Sequence, residues 1–280
     1  MQCRFIDTGF RNAFENMAID EAILHYCKIP TLRIYGWKPA AISIGYNQGI
    51  EKEINLDYCE KNDISIVRRL SGGKAVFHDN EITYSFILPE NSNLIPLEIN
   101  ESYKVIANAL IIALKKIGIN AEMKKTPEKI ATPICFNSSN WYEILVNGRK
   151  ISGSAQRRIN GKVLQHGPIL INFDYNKNSL IFNSNNNFDN INILNNLKNR
   201  VTSIKNELKN TRTKFGIHYV DNKKIYYNEL REAIRFGFKE NFGFDMVNDS
   251  LTSEEIKLAE KLREEKYSTE EWNYELLTVK

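Results

Sequence analysis

Residues 141–171 read WYEILVNGRKISGSAQRRINGKVLQHGPILI, with two Asn-Gly pairs bracketing one polar, glycine-containing run. Asn and Gly both tolerate the positive φ that a type I′ turn demands, so Asn147-Gly148 and Asn160-Gly161 predict tight hairpins between alternating apolar runs. Two hairpins in succession make a three-stranded meander over 141–146, 150–158 and 163–171. Its middle strand, Lys150-Ile151-Ser152-Gly153-Ser154-Ala155-Gln156-Arg157, is small and polar where a structural strand carries Val, Ile and aromatics. Glycine inside a strand costs stability and marks close approach by a ligand or another backbone. Counting outward from two-residue loops sets Ser154 opposite Trp141 on one side and Gly167 on the other. Lys150, Ser154, Gln156, His166 and Gly167 then share one small sheet, with Cys135 on the loop feeding it. That concentration of polar side chains reads as a site.

Outward from the meander, 12–27 reads as a helix with Phe14, Met17, Ala18 and Ala22 on one face. Segments 32–35 and 41–46 read as strands separated by Gly36-Trp37-Lys38-Pro39, and 53–61 as a short helix. The strand at 64–68 runs into Ser71-Gly72-Gly73, and 82–88 alternates around Tyr84 and Phe86 before stopping at Pro89. The clearest helix is 102–117, with Tyr103, Ile106, Leu110, Leu114 and Ile117 at helical spacing. Residues 172–199 are Asn-biased, but regular apolar interruptions predict short helices and loops. Segments 224–241 and 253–267 read as amphipathic helices, the second opened by a capping box of Thr252 with Glu255. The expected fold class is α/β in the α+β sense, a mixed, largely antiparallel sheet flanked by helices. Residues 1–215 form the main domain and 216–280 a small helical C-terminal subdomain packed on it.

The chain has 280 residues, enough for one large domain or a domain and a half. No run of about 18 apolar residues is present, so no transmembrane helix is expected, and the N-terminus lacks the apolar core of a signal peptide. Four scattered cysteines (Cys3, Cys27, Cys59, Cys135) without a CxxC fit a reducing cytoplasm. A net charge of +4 is compatible with acidic partners or with a merely lysine-rich surface.

A second dense segment is Arg68-Arg69-Leu70-Ser71-Gly72-Gly73-Lys74-Ala75-Val76-Phe77-His78-Asp79. Its glycines free backbone amides to face an anion or carbonyl among several cations, although a plain hairpin turn fits as well. It is neither a Walker A loop nor GxGxxG. His78 followed by Asp79 fits an oriented base or a structural hydrogen-bonder. The histidines (His25, His78, His166, His218) lack metal-ligand spacing, and there is no GxSxG elbow. Cys27 and Cys59 read as core thiols. Cys135 lies in a polar loop with Lys150 as a candidate neighbouring cation that favours thiolate. On chemistry alone, a catalytic and an ordinary loop cysteine both fit.

Together, Asn16-Met17-Ala18-Ile19-Asp20-Glu21, the segment from Arg68-Arg69 through Gly72-Gly73 to Val76-Phe77-His78-Asp79, and the run from Gly148 to Gln156 followed by Gln165-His166-Gly167 resemble the lipoate/octanoate transferase and ligase family, related to the biotin–lipoate protein ligases. The pattern covers most of the chain. Within the family, Cys135-Phe136-Asn137-Ser138-Ser139-Asn140-Trp141-Tyr142-Glu143 is similar to the cysteine segment of LipM-type octanoyl-[acyl-carrier-protein]:protein N-octanoyltransferases, which ATP-dependent ligases lack. Glu271-Trp272-Asn273-Tyr274 is similar too, while Lys74 stands where ligases usually carry a third glycine.

The resemblance implies a biotin/lipoate protein ligase-like catalytic domain with a small helical C-terminal extension. It implies a cytoplasmic first step of lipoate biosynthesis. Octanoyl passes from the phosphopantetheine of acyl-carrier protein to a lysine of a lipoyl-accepting protein, the glycine cleavage H protein or another lipoyl domain. No ATP, metal, nucleic acid or membrane is expected. Cys135 is implied as the thioester-forming nucleophile, and Lys150 as the group that activates it and polarises the acyl carbonyl. Arg69, Ser71, Gly72, Gly73, Val76, His78, Gly153, Ser154, Ala155, His166 and Gly167 are implied to bind substrate. The alternatives are an ATP-dependent lipoate–protein ligase, an octanoyl amidotransferase from H protein to dehydrogenase subunits, and a non-enzymatic lipoyl-domain-binding pseudo-ligase.

Overall fold

The computed structural model describes residues 1–50, 53–124, 143–182, 190–210 and 223–275. The chain opens with β1 (Gln2–Arg11) and α1 (Ala13–Tyr26), whose N-cap Asn12 accepts a hydrogen bond from Glu15 N. There follow β2 (Thr31–Trp37), β3 (Ala41–Ile44), α2 (Leu56–Lys61), β4 (Ser65–Arg68), β5 (Val76–His78) and β6 (Glu81–Pro89). Next come α3 (Ile99–Lys116), β7 (Glu122–Met123), β8 (Ile144–Val146), β9 (Arg149–Ser152), β10 (Ala155–Ile159) and β11 (Lys162–Leu170). The last elements are α4 (Tyr175–Ile181), α5 (Asn190–Arg200), α6 (Ile204–Asn210), α7 (Lys223–Phe242), β12 (Asp245–Asn248), α8 (Ser253–Leu262) and α9 (Glu270–Tyr274).

Among the described residues, a large sheet runs β12-β1-β2-β6-β11-β9-β8-β7, with β10 paired to β11, and a small one runs β4-β3-β5. Only the β12–β1 and β1–β2 pairs of the large sheet are parallel, so it is mixed and largely antiparallel, as the sequence predicts. β2 is buried at every position because both its faces are covered. Leu32 and Ile34 pack with Ile106 and Leu110 of α3 and Phe238 of α7, whereas Tyr35 and Trp37 pack with Met17 and Ile23 of α1. The small sheet has its own core with α2, α4 and α5. The Asn-rich segment supplies α4 and α5, and Thr252 and Glu255 form the expected capping box at α8.

Both Asn-Gly pairs are hairpin turns with positive φ at each residue: 50° and 74° at Asn147 and Gly148, 51° and 69° at Asn160 and Gly161. The middle strand departs from the simple meander in two ways. It is broken at Gly153-Ser154 into β9, which pairs with β8, and β10, which pairs with β11. Leu145 faces Lys150 as counted from the turn, but Ile144 faces Ser152 rather than Ile151, because one extra residue is accommodated in β9. Such a bulge shifts everything beyond it by one. Trp141, the expected partner of Ser154, lies outside the described residues. On the other side, Ala155 opposite His166 continues to Ser154 opposite Gly167, the expected register.

Candidate functional site

Where the strand breaks, the sheet opens into a cleft whose exposed wall is mostly apolar. Arg69, Gly73, Val76 and His78 line it from the glycine-loop side; Lys150, Gly153, Ser154 and Ala155 line it from the meander, with His166 and Gly167 from β11. Ser71 and Gly72 do not line it. Gln156, on the same small sheet as expected, turns toward Ser102 of α3 and Gln165 rather than into the cleft. Cys135 lies outside the described residues.

Lys150 is 3% exposed and its Nζ donates to Glu143 Oε1 at 2.6 Å, an ion pair inside the cleft wall. Its backbone carbonyl accepts from Thr202 N, and the neighbouring Arg149 pairs with Glu207, so the strand is held from outside as well. The two meander glycines have distinct steric reasons. A Cβ on Gly153 would lie 2.7 Å from Lys150 Cε, because the lysine folds back across that position. A Cβ on Gly167 would lie 2.0 Å from the Gly153 carbonyl oxygen. The close approaches that glycine signalled are by the Lys150 side chain and by backbone.

Facing this strand, Arg69 shapes the glycine loop. Its guanidinium donates to the carbonyls of Ser43, Gly72 and Lys74 at 3.0, 2.7 and 2.8 Å. Gly73 adopts φ 95°, and its carbonyl passes so close to Gly45 that a Cβ there would overlap it at 2.0 Å. Arg68, by contrast, turns away from the cleft and binds carbonyls of Gly45, Tyr46, Gln48, Trp272 and Asn273. It ties the C-terminal helices to β4.

Ser71 reaches the cleft through a buried relay. Ser71 Oγ lies 2.6 Å from His166 Nε2, and His166 Nδ1 lies 3.1 Å from Asp20 Oδ2. Asp20 also accepts from Arg33 at 2.6 Å and from the Tyr35 hydroxyl at 3.0 Å. Burial alone would raise its carboxyl pKa, but Arg33 and His166 hold it below the usual carboxylate range. Burial lowers the pKa of His166 from its ordinary value, with Asp20 pulling the other way. A neutral ring beside a carboxylate carries its proton on Nδ1, so Nε2 accepts from Ser71. His78 has both nitrogens engaged, Nε2 with Ser43 Oγ at 2.8 Å and Nδ1 with Glu81 at 2.7 Å, and stacks on Trp37 at 3.9 Å. Its orienting carboxylate is Glu81 rather than the adjacent Asp79, whose side chain accepts from Asn80. Both ring nitrogens of His78 are thus satisfied within the cleft wall.

Sequence reasoning assigned no role to Glu143, Asp20, Tyr35 or Trp37. Asp20 and Glu143 stood inside quoted motifs, and an acidic residue at the entry to an apolar strand (Glu143) was the available signal. Among the described residues no group of three His, Cys, Asp or Glu could hold a metal ion, and no helix is long and apolar enough to cross a membrane.

Residues 12–221 match the family model described as the lipoyl protein ligase A/B catalytic domain. Octanoyltransferase LipM of Bacillus subtilis is 36% identical over 283 residues, covering 97% of each chain. Octanoyltransferase LipM of Brevibacillus brevis is 38% identical over 285 residues, covering 97% of this chain and 98% of its own. Among solved structures, a bipartite lipoate protein ligase from Thermoplasma acidophilum, studied with its E2 lipoyl domain, superposes with TM-score 0.81 at 26% identity, covering 100% of this chain and 99% of that one. A lipoate-protein ligase A bound with ATP superposes with TM-score 0.78 at 28% identity, covering 99% and 100%.

Proposed function

This chain belongs to the lipoyl protein ligase A/B catalytic family, and on that footing we propose that it moves octanoyl from the phosphopantetheine thioester of acyl-carrier protein to a lysine of a lipoyl-accepting protein. The enzyme is an acyltransferase, and octanoyl transfer in lipoate biosynthesis accords with LipM relatives matched along nearly the whole chain. A lipoyl domain as acceptor is supported by the Thermoplasma ligase and its E2 lipoyl domain; the glycine cleavage H protein is the acceptor we name. We place the reaction in the cytoplasm.

The observation that carries this reading is a buried ammonium, Lys150, fixed by Glu143 and Gly153 in the wall of a mostly apolar cleft opposite a glycine loop. An apolar cleft with few convergent polar groups suits a fatty-acyl chain. In the proposed first step the Cys135 thiolate attacks the donor carbonyl, the carbon–sulfur bond to phosphopantetheine breaks, and the carrier leaves as its thiolate. Lys150 favours thiolate and opposes the charge that develops on the carbonyl oxygen. The Gly73 amide, which donates to no backbone carbonyl among the described residues, is a candidate second donor. In the second step the acceptor amine attacks the enzyme thioester, an amide forms and the thiolate of Cys135 returns. The amine nitrogen gives up its surplus proton to the departing thiolate or to solvent, so the step balances. Thioester to amide is downhill, so the reading requires no ATP, and splitting the transfer in two lowers each barrier.

The test is to incubate the protein with octanoyl-acyl-carrier protein and apo H protein without ATP. Octanoylated H protein is expected. Octanoylation that appears only with free octanoate and ATP would replace this reading with the ligase one.

A further inference from the structure

Among the described residues, the Arg157 guanidinium beside the cleft has no counter-ion, its Nε is buried without a hydrogen-bond partner, and its Cζ sits 4.8 Å from the centre of the Tyr46 ring. Side chains alternate along β10. Gln156 and Arg158 bond to each other on the α3 side, where Gln156 also meets Ser102, while Ala155 lines the cleft and Ile159 packs with the α1 core. Arg157 therefore stands on the cleft side, two residues and about 7 Å beyond Ala155. Its platform is tied to the glycine loop, since Tyr46 N donates to the Ser71 carbonyl at 2.9 Å.

Holding a half-buried guanidinium without an anion is costly, and native structures rarely leave such donors unmet. The planar guanidinium matches the oxygens of a phosphate, and stacking on an aromatic ring fixes its plane in advance. Among the described strands, β10 pairs with β11 alone. Arg157 itself lies outside the cleft lining, beyond the acyl site rather than within it.

We propose that Arg157, on its Tyr46 platform, is a subsite for a phosphate ester, and that this phosphate belongs to the phosphopantetheine arm of the acyl donor, reaching out of the cleft past Ala155 while the acyl chain fills the cleft. The proposal rests on the transfer reading above and names how its donor is held. A nucleotide offers the same phosphate chemistry, and an acidic side chain of the acceptor could also meet the guanidinium; the experiment separates these.

Acyl-enzyme formation is measured with octanoyl-phosphopantetheine and octanoyl-pantetheine, which differ only in the phosphate, for wild type, Arg157→Ala and Arg157→Lys. Arg157→Ala is expected to lose about tenfold to a hundredfold in kcat/KM with the phosphorylated thioester, the range for one charge-assisted contact. With octanoyl-pantetheine it should match wild type, and Arg157→Lys should keep part of the phosphate preference with an unchanged melting midpoint. Equal losses with both thioesters would overturn the subsite and leave Arg157 a structural role. Loss confined to transfer from preformed acyl-enzyme to the acceptor would assign the guanidinium to the acceptor instead. Inhibition by AMP that disappears in Arg157→Ala, with both thioesters unaffected, would assign it to a nucleotide. Wild type that reacts with neither thioester would bring down the transfer reading itself.

Discussion

Lys150 and Glu143 meet at 2.6 Å in a wall where neither side chain is more than 6% exposed, so removing one charge leaves the other buried and uncompensated. Lys150→Ala is expected to cost about 3–5 kcal/mol of stability in addition to transfer. The double variant Lys150→Met/Glu143→Leu should recover the thermal midpoint while octanoyl transfer stays absent; recovered transfer would make the pair purely structural. Gly153→Ala tests position rather than charge. The added Cβ meets the flexible end of Lys150 at 2.7 and 2.9 Å and pushes it off its place beside Glu143, so the midpoint should fall, by less than in Lys150→Ala, while kcat falls by about a hundredfold, the cost of a misplaced group. His166 gives a pH dependence. Its folded pKa is lowered from 6.5 by burial, so below about pH 6.5 the unfolded state takes up a proton that the folded state refuses. Its contribution is complete above that pH and declines as pH falls. Thermal midpoints should therefore drop between about pH 7 and pH 5, and less steeply in His166→Gln. At this scale Lys150, Gly153 and His166 were legible because polar or small residues in a strand are out of place. Asp20 was not, because it meets His166 across 146 positions.

The turns of the meander announce themselves locally, since Asn-Gly at positive φ needs no tertiary help. The break at Gly153-Ser154 and the bulge between Lys150 and Ser152 have no such signature. They follow from Lys150 folding over Gly153 and from Gly167 meeting the Gly153 carbonyl, contacts made only once three strands are assembled. Helix boundaries were legible to within a few residues wherever a cap or a glycine marked them, as at Asn12 and Thr252. The packing of α3 on α7 was not. Gly237 sits mid-helix, where propensity argues against it, because a Cβ there would lie 2.2 Å from the Ala109 carbonyl oxygen of α3. Gly237→Ala should therefore destabilise by about 1–3 kcal/mol despite its better helix propensity, read as a lower denaturant midpoint with activity retained below it. A gain in stability would mean that the two helices can separate at no cost.

Over the whole molecule, the class of fold followed from composition and periodicity, but strand order did not. β12, near the C-terminus, pairs in parallel with β1 at the start of the chain, and Arg68 is fastened by carbonyls of Trp272 and Asn273. Pairings of such sequence separation leave no local trace. We propose residues 216–280 as an extension braced on a catalytic segment of 1–215; among the described residues, Trp272 and Asn273 hold the strand leading into the glycine loop. The central proposal is acyl transfer through an enzyme thioester on Cys135. Its most direct test is the intact mass of the full chain after mixing with octanoyl-acyl-carrier protein in the absence of ATP. Wild type should gain one octanoyl group, removable by hydroxylamine, and Cys135→Ala should gain none and transfer none to H protein. Full transfer by Cys135→Ala would contradict the thioester mechanism.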